Sequence, residues 1–157
     1  MDTLDLDSKS KLQILLSALE ERYKSLHIIR ERIQNVCLWT LGILLATGGW
    51  LVQNGTSLTY QQKIFFSILI GIAFIVIRFF YLSDLEKGFK SQQRVAASIE
   101  EKLGLFGERF LGASEKSIYP QSWKDAGTDT GGGKFVNRNY LLLYIGVTLL
   151  LLIIWLY

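Results

Sequence analysis

Residues 64–82 read IFFSILIGIAFIVIRFFYL, nineteen consecutive positions with one charge, Arg78. An α-helix rises about 1.5 Å per residue and needs about 20 apolar residues to cross a hydrocarbon core about 30 Å thick, within a range of roughly 17 to 25. The run therefore qualifies as a membrane span. Two further blocks qualify on the same grounds: 36–52, seventeen residues, and 140–157, eighteen, both free of Asp, Glu, Lys and Arg. The expected fold is an all-α membrane protein with three transmembrane helices.

The rest of the chain has a different composition. The three blocks hold 54 of the 157 residues and one charge, while the other 103 carry the remaining 30. That density is slightly above the roughly 25% of a soluble domain. One Cys and one His exclude an internal disulfide framework and cannot complete a structural zinc site between them. A net charge of +3, evenly mixed, is too mild to argue for nucleic acid. The first apolar block follows a charged stretch, so no cleavable signal peptide is expected and 36–52 should remain as the first span.

Orientation follows from Lys and Arg. Six precede residue 36, one (Lys63) lies between the first two blocks, nine lie between 83 and 139, and none follows Tyr140. By the positive-inside rule the N-terminus and the long second connector are cytoplasmic. The short turn at residues 54–57 and the C-terminus are external, in a multi-pass protein of the cell inner membrane. Trp50, Tyr60, Trp155 and Tyr157 would form the outer aromatic belt, and Trp39, Tyr81 and Tyr140 the inner one.

The segments flanking the first two spans carry heptad spacing. Leu12, Leu16, Leu19, Tyr23, Leu26, Arg30, Ile33 and Cys37 alternate steps of four and three, with one polar break at Arg30. The exit from the second span repeats it through Leu82, Leu85, Phe89, Gln92, Ala96, Ile99 and Leu103. Such seams seat helices against one another. Ser10 and Gln13 form a candidate capping box at the start, and Gly104 and Gly107 a stop. Spans joined by a short outer turn are antiparallel neighbours, so the simplest reading extends them into a cytoplasmic antiparallel helical stalk. The competing reading lays each stripe on the lipid surface. Leu15, Ile28 and Ile29 widen the apolar face beyond one seam, which points to a homo-oligomer. Gly42 with Ala46 and Ser67 with Gly71 add small pairs that allow close helix approach.

The chain then divides into a cytoplasmic heptad helix (1–35), a span (36–52), an external turn (53–63), a span (64–82), a second cytoplasmic heptad helix (83–105), a Gly-rich cytoplasmic connector (106–139) and a last span (140–157). Within the connector, residues 108–111 and 118–119 are candidates to pack on the stalk base or the membrane surface, and 127–133 reads as a flexible tether.

Few residues suggest chemistry. Gly133-Lys134 lacks the upstream Gly and the following Ser or Thr of a phosphate loop. Asp129-Thr130-Gly131 is one copy of a motif whose chemistry needs two carboxylates. No nucleophile–base set is visible, so no catalysis and no cofactor are expected. His27 reads as a pH sensor or as a plain surface residue, and Cys37 as a palmitoylation site or as packing. Arg78 either snorkels to headgroups or lines an inner vestibule. Thr40, Thr47 and Asn54 recur every seven residues on one face of the first span. With Arg78 they are the pore-lining candidates, unless each polar group bonds its own helix.

The long N-terminal helix with its stretch at Glu21-Arg22-Tyr23-Lys24-Ser25-Leu26-His27, the two close spans with a short outer turn and the helix that follows resemble the SLATT-type bacterial membrane effectors, over roughly Leu12 to Leu103. The third span lies outside that pattern. The resemblance implies an effector of anti-phage defence that damages membranes by forming pores, opened by a cytoplasmic nucleotide signal or partner protein. The competing expectation is a non-conducting scaffold whose stalk recruits a cytoplasmic partner. The bilayer and further copies of the chain are partners in either case.

Overall fold

The computed structural model describes residues 7–55, 57–107, 117–128 and 133–156. Every regular element among them is helical: α1 (Ser8–Asn54), α2 (Tyr60–Ile75), a π-helical segment (Val76–Leu82), α3 (Ser83–Lys102), a 3-10 turn (Gln121–Trp123) and α4 (Lys134–Leu156). Three helical stretches are long and apolar enough to cross a membrane: α1, the run Tyr60–Lys102, and α4. The chain forms two compact units, unit 1 from 1–29 with 87–130 and unit 2 from 30–86 with 131–157.

α1 runs through both units because nothing stops it. No Gly or Pro lies between Ser8 and Leu41, and the helix opens with Lys11 N donating to Asp7 O at 3.0 Å. Ser10 is therefore inside the first turns, and the expected capping box at Ser10 and Gln13 does not start the helix. A capping box occurs instead at α2, where Thr59 N donates to Gln62 Oε1 at 2.9 Å and Thr59 Oγ1 accepts from Gln62 N. That motif satisfies two donors a helix start leaves open. Gly55, at φ +58°, ends α1 in the left-handed conformation typical of the residue after a helix.

The second apolar block departs from a plain α-helix. Its last seven residues, Val76–Leu82, are π-helical, and α3 follows without interruption. The segment is rich in β-branched and aromatic residues, which have weak α-propensity, so the wider turn displaces little intrinsic preference. α3 stops at Gly104, φ +77°, in a Schellman arrangement: Leu105 N donates to Glu100 O and Gly104 N to Glu101 O. α4 begins at Lys134, six residues before the apolar block does.

Unit 2 packs the second half of α1 against α2, the π-helical segment and α4. Leu51, Leu150 and Ile154 form a buried cluster with Leu44, Leu58, Ile70 and Ile153 packed on it. α1 and α4 approach closely through glycine. A Cβ on Gly48 would stand 2.9 Å from Ile153 Cδ1, and one on Gly146 2.7 Å from Leu41 Cδ1. Tyr60 meets Trp155 edge-on with centroids 6.0 Å apart, while Trp155 Nε1 donates to Ser67 Oγ and Lys63 Nζ to the Trp155 carbonyl. The start of α2 therefore lies beside the end of α4. No residue of α2 is buried.

Unit 1 packs the first half of α1 with α3 and the segment that follows it. Arg22 Nη1 donates to Gln92 Oε1 at 2.8 Å, and Lys124 Nζ pairs with Glu101 Oε1 at 2.6 Å. The ring of Tyr119 lies between Phe106 and Trp123, with centroids at 6.0 and 5.4 Å. Tyr119 thus joins an aromatic cluster of the connector and also reaches α1, where its side chain hydrogen-bonds Tyr23, while Ile118 stays exposed. Gly127 does not belong to a free tether. It is buried at φ +81°, a Cβ there would sit 2.5 Å from the Lys90 carbonyl, and its own carbonyl accepts from Arg94 Nε at 2.8 Å. Residues 108–111 and 129–132 lie outside the described residues.

Candidate functional site

The four pore-lining candidates are all in unit 2, and they are not gathered in one place. Thr40 lines an apolar crevice of about 80 Å³ with Leu44, Ile70, Phe74 and Val147. Thr47 Oγ1 donates to the Ile43 carbonyl at 2.8 Å and Asn54 Nδ2 to the Trp50 carbonyl at 2.9 Å, so both polar groups bond their own helix. Arg78 is on the π-helical segment.

The surroundings of Arg78 are the most organised polar feature of unit 2. Its guanidinium carbon stands 3.6 Å from the centroid of the Tyr140 ring and 5.4 Å from that of Phe79. A guanidinium over an aromatic face within about 6 Å is held by the ring quadrupole, worth roughly 0.5 to 2 kcal/mol depending on how dry the site is. Tyr140 OH in turn donates to Glu86 Oε2 at 2.9 Å. Arg78 Nε is buried and has no hydrogen-bond partner among the described residues. Arg30, the polar break in the first seam, is held the same way 4.6 Å from the Phe135 ring. The first turns of α4 therefore offer two aromatic faces to two arginines. Cys37, whose side chain is fully buried, is a packing residue, and His27 is exposed.

The seam residues divide within the single chain. Leu19, Ile33 and Ala96 are buried, whereas Leu12 and Leu16 are half exposed and Tyr23 only a little less so. Leu26, Leu85, Phe89, Ile99 and Leu103 are intermediate.

Unit 1 contains a half-open cavity of about 240 Å³ lined by residues of α1, α3, the 3-10 turn and the residues just after it. Tyr23 and Leu26 come from α1, Gln93, Ala97 and Glu100 from α3, and Trp123 from the connector. Glu100 is 6% exposed and accepts a short hydrogen bond from Tyr23 OH. Burial, and then the Glu100 carboxylate, push the Tyr23 hydroxyl far above the ordinary phenol range, so it remains a donor. No ion pair to Glu100 is formed among the described residues. The seam reading missed Glu100 and Trp123. A 3.6-residue period carried through Gln93, Ala96, Ala97 and Glu100 would have placed Glu100 on the buried face, while the signal for Trp123 was limited to an aromatic residue in a polar connector.

Comparison with protein families, with characterised proteins and with solved structures gives no match for this chain.

Proposed function

We propose that the chain is a homo-oligomeric membrane effector of the SLATT type, forming a signal-gated pore in bacterial anti-phage defence. Unit 2 spans the inner membrane, the N-terminus and unit 1 are cytoplasmic, and the C-terminus is external. A cytoplasmic nucleotide or partner protein supplies the opening signal. The observation that carries this reading is the π-helical segment at Val76–Leu82. It holds the one charge of the three apolar blocks, and it leads directly into a helix that continues into unit 1. Single turns of π-helix occur often at functional positions, and here a shift of one residue would convert i→i+5 bonding to i→i+4 and rotate the helix on one side of it. A gate in a packed bundle needs such a two-state element. Further support comes from α2, whose residues are all at least partly exposed in the single chain and so are available to lipid or to other copies.

The bonding of Thr47 and Asn54 to their own helix carbonyls favours a second reading, the non-conducting scaffold. Two substitutions separate the two. In the pore, Thr47→Leu and a charge at Leu19 (Leu19→Glu) both lower ion release from liposomes. In the scaffold, Thr47→Leu leaves function in cells unchanged and only Leu19→Glu or Ile99→Glu abolishes it.

A further inference from the structure

We propose that the cavity of unit 1 is a binding site for a small organic cation, a protonated amine or quaternary ammonium carried on an apolar or aromatic body. The cavity joins a nearly fully buried carboxylate, Glu100, with aromatic rings from two separate parts of the chain, Tyr23 and Trp123. A buried carboxylate loses its hydration, and the loss is costly unless a cation or a full set of donors replaces the water. Glu100 has a neutral phenol, Tyr23, and no cation among the described residues. Three basic groups of this unit are committed elsewhere: Arg22 to Gln92, Arg94 to the Gly127 carbonyl, and Lys124 to Glu101. An anion would face the Glu100 carboxylate and the negative faces of the rings, with the uncharged Gln93 amide as the lining donor, so it is disfavoured. A cation gains twice, from charge pairing with Glu100 and from the ring faces. The walls contributed by Leu26, Ala96, Ala97 and Ala126 are apolar and match a hydrocarbon body next to the charge. At about 240 Å³ the space is just below the usual range of roughly 300 to 1,000 Å³ for ligand pockets, so the ligand is compact.

This inference is independent of what the apolar helices do, and its test does not read conductance. The full chain in nonionic dodecyl maltoside micelles is titrated calorimetrically with phenethylamine, its neutral isostere 2-phenylethanol and the anion phenylacetate at neutral pH. Phenethylamine should bind saturably, one per chain, at least about tenfold more tightly than the alcohol, and phenylacetate should not bind. Glu100→Gln keeps an acceptor for Tyr23 and should bring amine and alcohol within about twofold of each other; Trp123→Leu should weaken the amine several-fold. Adding phosphatidylethanolamine to the micelles distinguishes two sources of the cation. A loss of apparent amine affinity assigns the site to the lipid headgroup amine, and no change assigns it to a free amine. Equal binding of amine and alcohol by the unaltered chain, no saturable amine binding in the millimolar range, or an unchanged preference in Glu100→Gln overturns the proposal. The first two need no variant to fold.

Discussion

Gly127 shows how much one position can fix. Its φ of +81° lies where a non-glycine residue costs roughly 1 to 2 kcal/mol, and a Cβ would sit 2.5 Å from the Lys90 carbonyl oxygen. Gly127→Ala is expected to lower the stability of unit 1 by at least about 1 to 2 kcal/mol, seen as faster amide hydrogen exchange across α3. Gly133→Ala, with open space around it among the described residues, should leave exchange unchanged. Tyr23 makes a pH-dependent contribution. A phenol whose folded pKa lies above its unfolded value of about 10 stabilises the fold fully below that pH and loses its contribution as pH rises through it. The chain should therefore lose stability above about pH 10, and Tyr23→Phe should reduce that loss while lowering stability at neutral pH through the unpaired Glu100. Chemical unfolding followed from pH 7 to 11 measures both. Neither role was legible in the sequence. Gly127 read as one glycine of a tether, and Tyr23 as one apolar step in a seam, because what defines each is a partner 33 to 77 residues away in the chain.

At the scale of the element, the apolar blocks were legible because a helix able to cross hydrocarbon needs a long uninterrupted apolar run, and such runs lie in α1, in α2 with the π-helical segment, and in α4. The ends differ by a few residues, as at Ser8 and Lys134; at α4 the added turn is packed, with Val136 buried and the Phe135 ring under Arg30. The stripes on α1 and α3 are less simple. The seam places Gln92 and Ile99 inward, and both are partly buried, Gln92 accepting from Arg22; the fully buried positions Ala97 and Glu100 widen that face to one side of Ala96. The π-helical segment left no sequence signal, since hydropathy is indifferent to whether the backbone bonds i→i+4 or i→i+5. Deleting Phe79, whose side chain is exposed, should return 76–82 to α-helix and rotate Arg78 away from Tyr140. The expected result is unchanged helicity by circular dichroism with altered ion release from liposomes. Release identical to that of the unaltered chain would remove the segment from any gating role.

For the whole molecule, the glycines separate into two sets. Gly48 and Gly146 are inside the α1–α4 contact, whereas Gly42, Gly49 and Gly71 have nothing within 4 Å of a Cβ among the described residues. Small residues on open faces of membrane helices allow neighbouring copies to approach closely. Gly146→Leu should destabilise the single chain by roughly 1 to 3 kcal/mol through overpacking. Gly42→Leu and Gly71→Leu should instead leave the chain folded and reduce its assembly, read by native mass spectrometry. In the proposed function assembled copies conduct ions, so potassium release from sealed liposomes carrying the purified full chain is the most direct test. Release that rises steeply with the number of chains per liposome, and that Thr47→Leu lowers, is the expected result. Liposomes that stay tight at every protein density, with or without a cytoplasmic extract to supply the opening signal, would contradict it.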